Sequence, residues 1–524
     1  MPATGIKSPY LTPLAAPRFP LHHLLPTTNV NVRPLRSISY QLLTDLMRCR
    51  SGRRLDVLPD DILIAIFLAI LDEYRDKIEE TEMVASMKAW QTLVHVCRRW
   101  RSVVFGSPRH LNLRLVCTHR TSASDTLVFW PALPLVVCAL SSLGRRIERV
   151  DNIVALLERS NRVHHIDLSS HAMISNLPLE TVLAAMQVPF PELTHLTIWS
   201  TTFHGTVPVL PDSFLGGSAL HLRYLALSNI SFSGLPKLLL SATHIVHLSL
   251  YCIPHISPEA MATTLSILTS LDTLRLHFDS QNFPDIASRR SPPPTCFILP
   301  TLILFAFNGV SEYFEDLIAH IEAPRFFSLD IMFFNQTLFS SPQLVRFISR
   351  TRLKAPEEVY LTFGLFAGVR LESIPSPTST LNVKISCSGL DQLSYLKQIC
   401  TSCSLSPGLS VENLYIYGTS FWEADRPDNV ENSLWLELLQ RFAAKNLYLG
   451  EKFAERIGPA LQELVEGGMS EALPTLRNIF LEGIRPESSV QEAIQQFVVT
   501  RQASYPIAVS RWVRDTRMFW QEDD

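Results

Sequence analysis

Four ring side chains recur at one position of a repeated motif: His165, His195, Tyr224 and His247. Imidazoles brought together from neighbouring strands are potential metal ligands, and ladder neighbours in a sheet stand about 4.8 Å apart. No carboxylate or thiol joins them at a suitable spacing, so they are read as solvated strand histidines. A second candidate is "CTSC", in which Cys400 and Cys403 form a lone C-x-x-C with Cys387 as nearest companion. Structural zinc takes four ligands, and buried free thiols fit this pattern better. The chain carries no glycine-rich phosphate loop, no G-x-S-x-G elbow and no H-E-x-x-H. Those arrangements prepare a phosphate cradle, a serine nucleophile or a hydrolytic zinc. Acids and histidines are present without the spacing of a general acid and base. The expectation is a protein that is not an enzyme and uses no metal or cofactor.

Bulk properties narrow the class further. The 524 residues allow two or three domains, and 47% are hydrophobic, enough for a sizeable core. A net charge of −3 gives no basic excess for nucleic-acid binding. Nine scattered cysteines fit a reducing compartment, and the N-terminus lacks the basic-then-apolar pattern of a secretory signal. A cytoplasmic or nuclear location is expected. The uncharged stretch from Thr126 to Gly144 has the length of a membrane span. Pro131 and Pro134 interrupt it, each removing a backbone donor, and it is read as buried strand and loop. No membrane association is expected.

The elements that position the recurring side chains are short strands. From about residue 160 the chain repeats an apolar position, two variable ones, then apolar-x-apolar: "VHHIDL" (163–168), "LTHLTI" (193–198), "LRYLAL" (222–227), "IVHLSL" (245–250) and "LDTLRL" (271–276). The pattern continues less regularly through "LILFAF", "FFSLDI", "EVYLTF", "LNVKI", "VENLYI", "AKNLYL" and "LRNIFL" (476–481), at intervals of up to 33 residues. Period-two alternation gives each strand one buried face. Helical stretches such as "PLETVLAAMQV", "SPEAMATTLSILTS", "PQLVRFISRT" and "LDQLSYLKQI" lie between them. A strand and a helix at this period mark a leucine-rich-repeat solenoid, with parallel strands on the concave face and helices outside. The asparagine common after the strand in such repeats is mostly replaced, by His171, Thr201, Ile230, Ile253, Asp279 and Val310. An irregular solenoid of the α/β class follows.

Ahead of the repeats, "LPDDILIAIF" (58–67) reads as a helix start: Pro59 suits a first turn and Asp60 and Asp61 face the positive helix end. Ile62, Ile66 and Ile70, with Leu63, Phe67 and Leu71 beside them, make the helix apolar over more surface than one partner needs. A second helix is expected over about Ala89 to Phe105, with Trp90, Leu93, Cys97, Trp100 and Val104 on one face. Arg98, Arg99 and Arg101 are read as a solvated flank.

These two segments together resemble an F-box. The match rests on Leu58, Pro59, Ile62, Leu63, Ile66, Phe67, Leu93, Val96, Cys97, Arg98 and Trp100, with a longer spacer than usual between the halves. The following "LNLRLVCTHRT" and "DTLVFWPALPLVV" are similar to the F-box proteins of mushroom-forming fungi, in which a repeat domain follows directly. The organisation expected is a poorly ordered segment 1–50, an F-box module 51–110, a linking strand and first repeat or cap 111–160, the solenoid 161–500 and a tail 501–524. The resemblance implies docking on the Skp-type adaptor of a cullin–RING ubiquitin ligase and, through it, on a cullin, with the repeats capturing a protein substrate. The alternative is a repeat-based interaction scaffold without a ligase role.

The adaptor-binding candidates are Leu58, Pro59, Ile62, Leu63, Ile66, Phe67, Val96, Cys97 and Trp100, since a helical face laid in an apolar groove is a common recognition mode. Some of them could instead form the module's own core. On the strands, outward positions line up in columns. Tyr415, Tyr448 and Phe480 stand beside Asn413, Asn446 and Asn478, and with Tyr417 form the candidate substrate surface. The competing reading is ordinary strand aromatics covered by the C-terminal "RWVRDTRMFW".

Overall fold

Alternating Leu, Ile, Val and Phe turn every one of the twelve repeat units into a strand. The structure is a computed structural model that describes residues 58–75, 90–118, 122–139, 150–169, 179–200, 207–253, 256–278, 296–334, 341–351, 356–373, 379–387, 391–402, 409–418, 432–466, 473–483, 489–502 and 506–513. The segment 1–50 and Cys403 lie outside the described residues.

The first seven strands are β1 (Leu115–Thr118), β2 (Leu135–Cys138), β3 (Val163–Leu168), β4 (His195–Trp199), β5 (Tyr224–Ser228), β6 (His247–Ile253) and β7 (Thr273–Phe278). Then come β8 (Phe297–Ile298), β9 (Leu304–Gly309), β10 (Ile321–Glu322), β11 (Ser328–Phe333), β12 (Glu358–Phe363), β13 (Phe366–Ser373) and β14 (Ser379–Ser386). The last are β15 (Leu409–Gly418), β16 (Phe442–Leu449), β17 (Asn478–Glu482) and β18 (Ala508–Trp512). Sixteen of them form one sheet in the order β1-β2-β3-β4-β5-β6-β7-β9-β11-β14-β13-β12-β15-β16-β17-β18, while β8 and β10 pair separately. All pairings are parallel except those of β13 with β12 and β14. The protein is therefore of the α/β class, with a large, mostly parallel sheet.

The antiparallel β13 departs from the simple repeat. Gly364 and Leu365 turn the chain straight back from β12, and Ala367, Val369 and Leu371 alternate inward. Gly368 pairs opposite Thr362, and a side chain there would run into the Thr362 hydroxyl. The tail also differs from expectation: β18 is the sheet's final strand, hydrogen-bonded in parallel to β17. The short β8 and β10 pair in parallel, Phe297 with Ile321 and Ile298 with Glu322. The stretch after Ser122 is not all strand and loop. Ser122 caps a helix, Ala123–Phe129, and the buried β2 follows. Among the described residues no helix is long and apolar enough to cross a membrane.

Inward positions such as Leu196, Leu225, Leu248 and Leu274 are fully buried. They join one contiguous apolar cluster that runs from Leu63 to Ile507. Single units cannot bury their own faces, so the stack supplies the core. Helices cover it between strands, among them Leu179–Ala185, Pro258–Leu265, Pro342–Arg350 and Gln392–Ser402, where the sequence places them. Ser257 caps the second of these through its hydroxyl, which accepts from Ala260 N at 3.2 Å.

One carboxylate links neighbouring helices. Glu315, on the helix Ser311–Ile318, accepts the backbone N–H groups of Gln343 (2.6 Å) and Leu344 (2.9 Å) at the start of Pro342–Arg350. Burial nevertheless raises its pKa from 4.5 to about 6, outweighing those bonds. A raised acid pKa makes the native state hold the proton more tightly, so its contribution is full below pH 4.5 and is lost as pH rises through about 6. Urea titrations across that window should show stability declining with pH in the wild type. In Glu315→Gln the decline should be shallower, and an unchanged slope would assign the effect elsewhere.

Candidate functional site

The N-terminal module is built from the helix Asp60–Arg75, helical residues 90–94 and the helix Arg98–Gly106. The expected single second helix is broken at His95 and Val96. Cys97 has extended backbone and caps the last helix, its sulfur accepting from Trp100 N at 3.4 Å. Arg99 ties the two halves together. Its guanidinium donates to Leu58 O and pairs with Asp60 at 2.8 Å, so this arginine is not part of a solvated flank. Arg98 and Arg101 are exposed.

The nine adaptor candidates divide by burial. Leu63 and Phe67 are fully buried and Trp100 is 4% exposed, with the Phe67 and Trp100 rings edge to face at 4.8 Å. These three belong to the chain's own core, which corrects their assignment to a docking face. The reason is that the helices Asp60–Arg75 and Arg98–Gly106 pack against each other through these side chains, while Trp90 ties the module to the segments flanking β1 and β2: its indole donates to Arg114 O at 2.9 Å and meets Trp130 at 5.2 Å. Much of the expected surplus apolar surface is thereby covered internally. Ile62 (44% exposed) and Val96 (41%) remain on the surface with Pro59, and Leu58, Ile66 and Cys97 are half-buried. The Arg99 contacts tie Leu58 and Asp60 to the helix Arg98–Gly106, and each half of the module keeps an exposed apolar side chain, Ile62 on one and Val96 on the other.

The outward strand positions fall into the expected columns. His165, His195, Tyr224, His247 and Thr273 are in register across β3 to β7. Farther along the same sheet, Glu358, Asn413, Asn446 and Asn478 are in register across β12, β15, β16 and β17. The amides form a ladder: Asn478 Nδ2 donates to Asn446 Oδ1 at 2.7 Å, Asn446 to Asn413 at 2.8 Å, and Asn413 to Glu358 Oε1 at 2.8 Å. Beside it Tyr360, Tyr415, Tyr448 and Phe480 stack face to face, with centroids 4.6, 4.4 and 4.4 Å apart. Burial, followed by the charge of Glu358, pushes the Tyr415 hydroxyl above its ordinary pKa. These phenols are therefore uncharged donors at neutral pH.

Tyr415, Tyr448, Phe480, Asn413 and Asn446 are all half-buried and come together as expected. Tyr417 does not join them: at 5% exposure it is buried and takes no part in an open surface. Trp512 of β18 lies against the patch, 5.4 Å from Tyr448 and 6.0 Å from Tyr415. Tyr360 and Glu358 escaped notice, although "EVYLTF" puts them in the same columns. Replacing Asn446 by Leu should strand the Asn478 donor and the Asn413 acceptor. A loss of about 1–2 kcal/mol in urea unfolding is expected, and no loss would mean the ladder is not structural.

The histidines are half-buried and stacked. His165 and His195 lie 5.1 Å apart and nearly parallel, and Tyr224 stacks on His247 at 4.3 Å. Burial first, then neighbouring positive groups, lowers His165 to about 3 and His195 to about 4. Among the described residues no cluster of three or more His, Cys, Asp or Glu is arranged to hold a metal ion. Cys400 is buried and Cys387 half-buried, and neither forms a disulfide. No protein-family model matches the chain, and neither does any curated protein.

Proposed function

We propose that the chain is the substrate-recognition subunit of a Skp–cullin–F-box type ubiquitin ligase. The observation that carries this reading is the apolar ridge of Leu58, Pro59, Ile62, Ile66 and Val96. It sits on a two-part helical module whose sequence resembles the F-box pattern, with Pro59, Ile62 and Val96 exposed and Leu58 and Ile66 half-buried after Leu63, Phe67 and Trp100 have filled the core. Ridges of this kind suit a groove on a partner. The repeats behind the module are read as an irregular leucine-rich-repeat solenoid, a reading supported by the near-sequential parallel strand order and the helix between most strands. The aromatic and amide columns of β12 and β15–β17 are the surface offered to a protein substrate, because rigid aromatics beside amides favour binding.

Purification of the tagged chain from its host under mild salt tests the proposal. Recovery of a Skp-type adaptor together with a cullin is expected. Recovery of other partners without either would favour the scaffold reading. For the substrate surface, Tyr415→Ala/Tyr448→Ala should weaken substrate capture with little loss of stability; a loss comparable to that of a core mutation would make the stack structural.

A further inference from the structure

At the N-terminal edge of β3–β5, far along the sheet order from the aromatic columns, lies an open pocket of about 500 Å³. That volume falls within the roughly 300–1,000 Å³ of small-molecule sites. Its wall is positive. Arg114 and Arg223 line it with the imidazoles of His164, His195 and His221, against a single carboxylate, Glu192. Among the described residues neither Arg223 nor Glu192 takes part in an ion pair.

The polar lining is ordered. The Thr194 hydroxyl sits between two rings, 2.8 Å from His195 Nδ1 and 3.1 Å from His164 Nδ1. The backbone fixes the same corner: Thr194 N donates to His164 O, and Arg223 N donates to Thr194 O. The pocket's charges oppose one another. Burial and the nearby Arg114 lower His164, and Arg114 and Arg223 both contribute to the depression of His195. A bound dianion would offset that repulsion, and guanidinium groups match phosphate oxygens in shape and charge.

We propose that this pocket binds a small phosphorylated organic molecule, with its phosphate between Arg114 and Arg223 and its remaining atoms filling the cavity. The cavity exceeds the needs of a bare phosphate ion, which is why an organic remainder belongs to the ligand. The site is independent of the adaptor ridge and of the substrate columns, and its test does not depend on either.

Calorimetric titration of the full chain with inorganic phosphate and with glycerol 3-phosphate, each against sodium chloride at matched ionic strength, tests the site. Saturable binding of both is expected, with glycerol 3-phosphate the tighter. Arg223→Gln should weaken glycerol 3-phosphate by at least about tenfold, with an unchanged circular dichroism spectrum. Glu192→Gln should tighten it, so the test holds even if the arginine variant folds poorly. Equal heats with chloride, indifference to both substitutions, or tighter binding of free phosphate than of glycerol 3-phosphate would each overturn the proposal.

Discussion

Trp100→Ala is expected to lower the unfolding free energy by about 3–5 kcal/mol, as truncation of a buried aromatic does. Trp100 is enclosed with Phe67, Val103 and Val104, and its ring meets Phe67 edge to face. The cavity left behind would lie where the helices of the module meet, in the same apolar cluster as the sheet. Urea unfolding followed by circular dichroism would read the loss. Adaptor capture by this variant should fall only in proportion to the folded fraction. A variant of wild-type stability that no longer binds the adaptor would return Trp100 to the docking face and overturn the assignment made from its burial.

Ile62→Asp is expected to do the reverse. Ile62 projects from the first turns of the helix Asp60–Arg75 and is nearly half exposed, so a carboxylate there stays hydrated in the free protein. Stability should change by no more than about 0.5 kcal/mol. Against a partner's apolar groove the same carboxylate would have to be desolvated without a counter-charge. Loss of a central anchor costs about 2 kcal/mol or more, so adaptor affinity should fall at least about thirtyfold by calorimetry. Val96→Asp, across the ridge, should act in the same direction. Undiminished affinity in both would remove the ridge from the interface.

The strand positions were legible because each repeat carries its own period-two pattern, and even "LNVKI" and "EVYLTF" emerge as strands. Column register was legible for the same reason: parallel neighbours with one motif align at the motif. The antiparallel β13 was not, because "FAGVRLES" lacks the leucine spacing and its partners are set by a tight turn. Nor was β18, whose outward residues are mostly exposed and whose place depends on backbone pairing to β17. At the candidate site, residue type alone could not separate ridge from core. Ile62 and Leu63 are adjacent and equally apolar, yet they differ from 44% to 0% exposure because helix rotation points one outward and the other at Trp100's cluster. Trp90 and Trp130 decided how much of the module remained open, and their contact joins segments that periodicity treats separately. The basic pocket depends on side chains drawn from turns before several strands, which no single motif displays.

The most direct measurement is amide hydrogen exchange of the full chain with and without a Skp-type adaptor. Slowed exchange is expected in the helix Asp60–Arg75 and around residues 93–97, with β15–β17 unchanged. Unaltered exchange in the module, or protection confined to the strand columns, would contradict docking through the module.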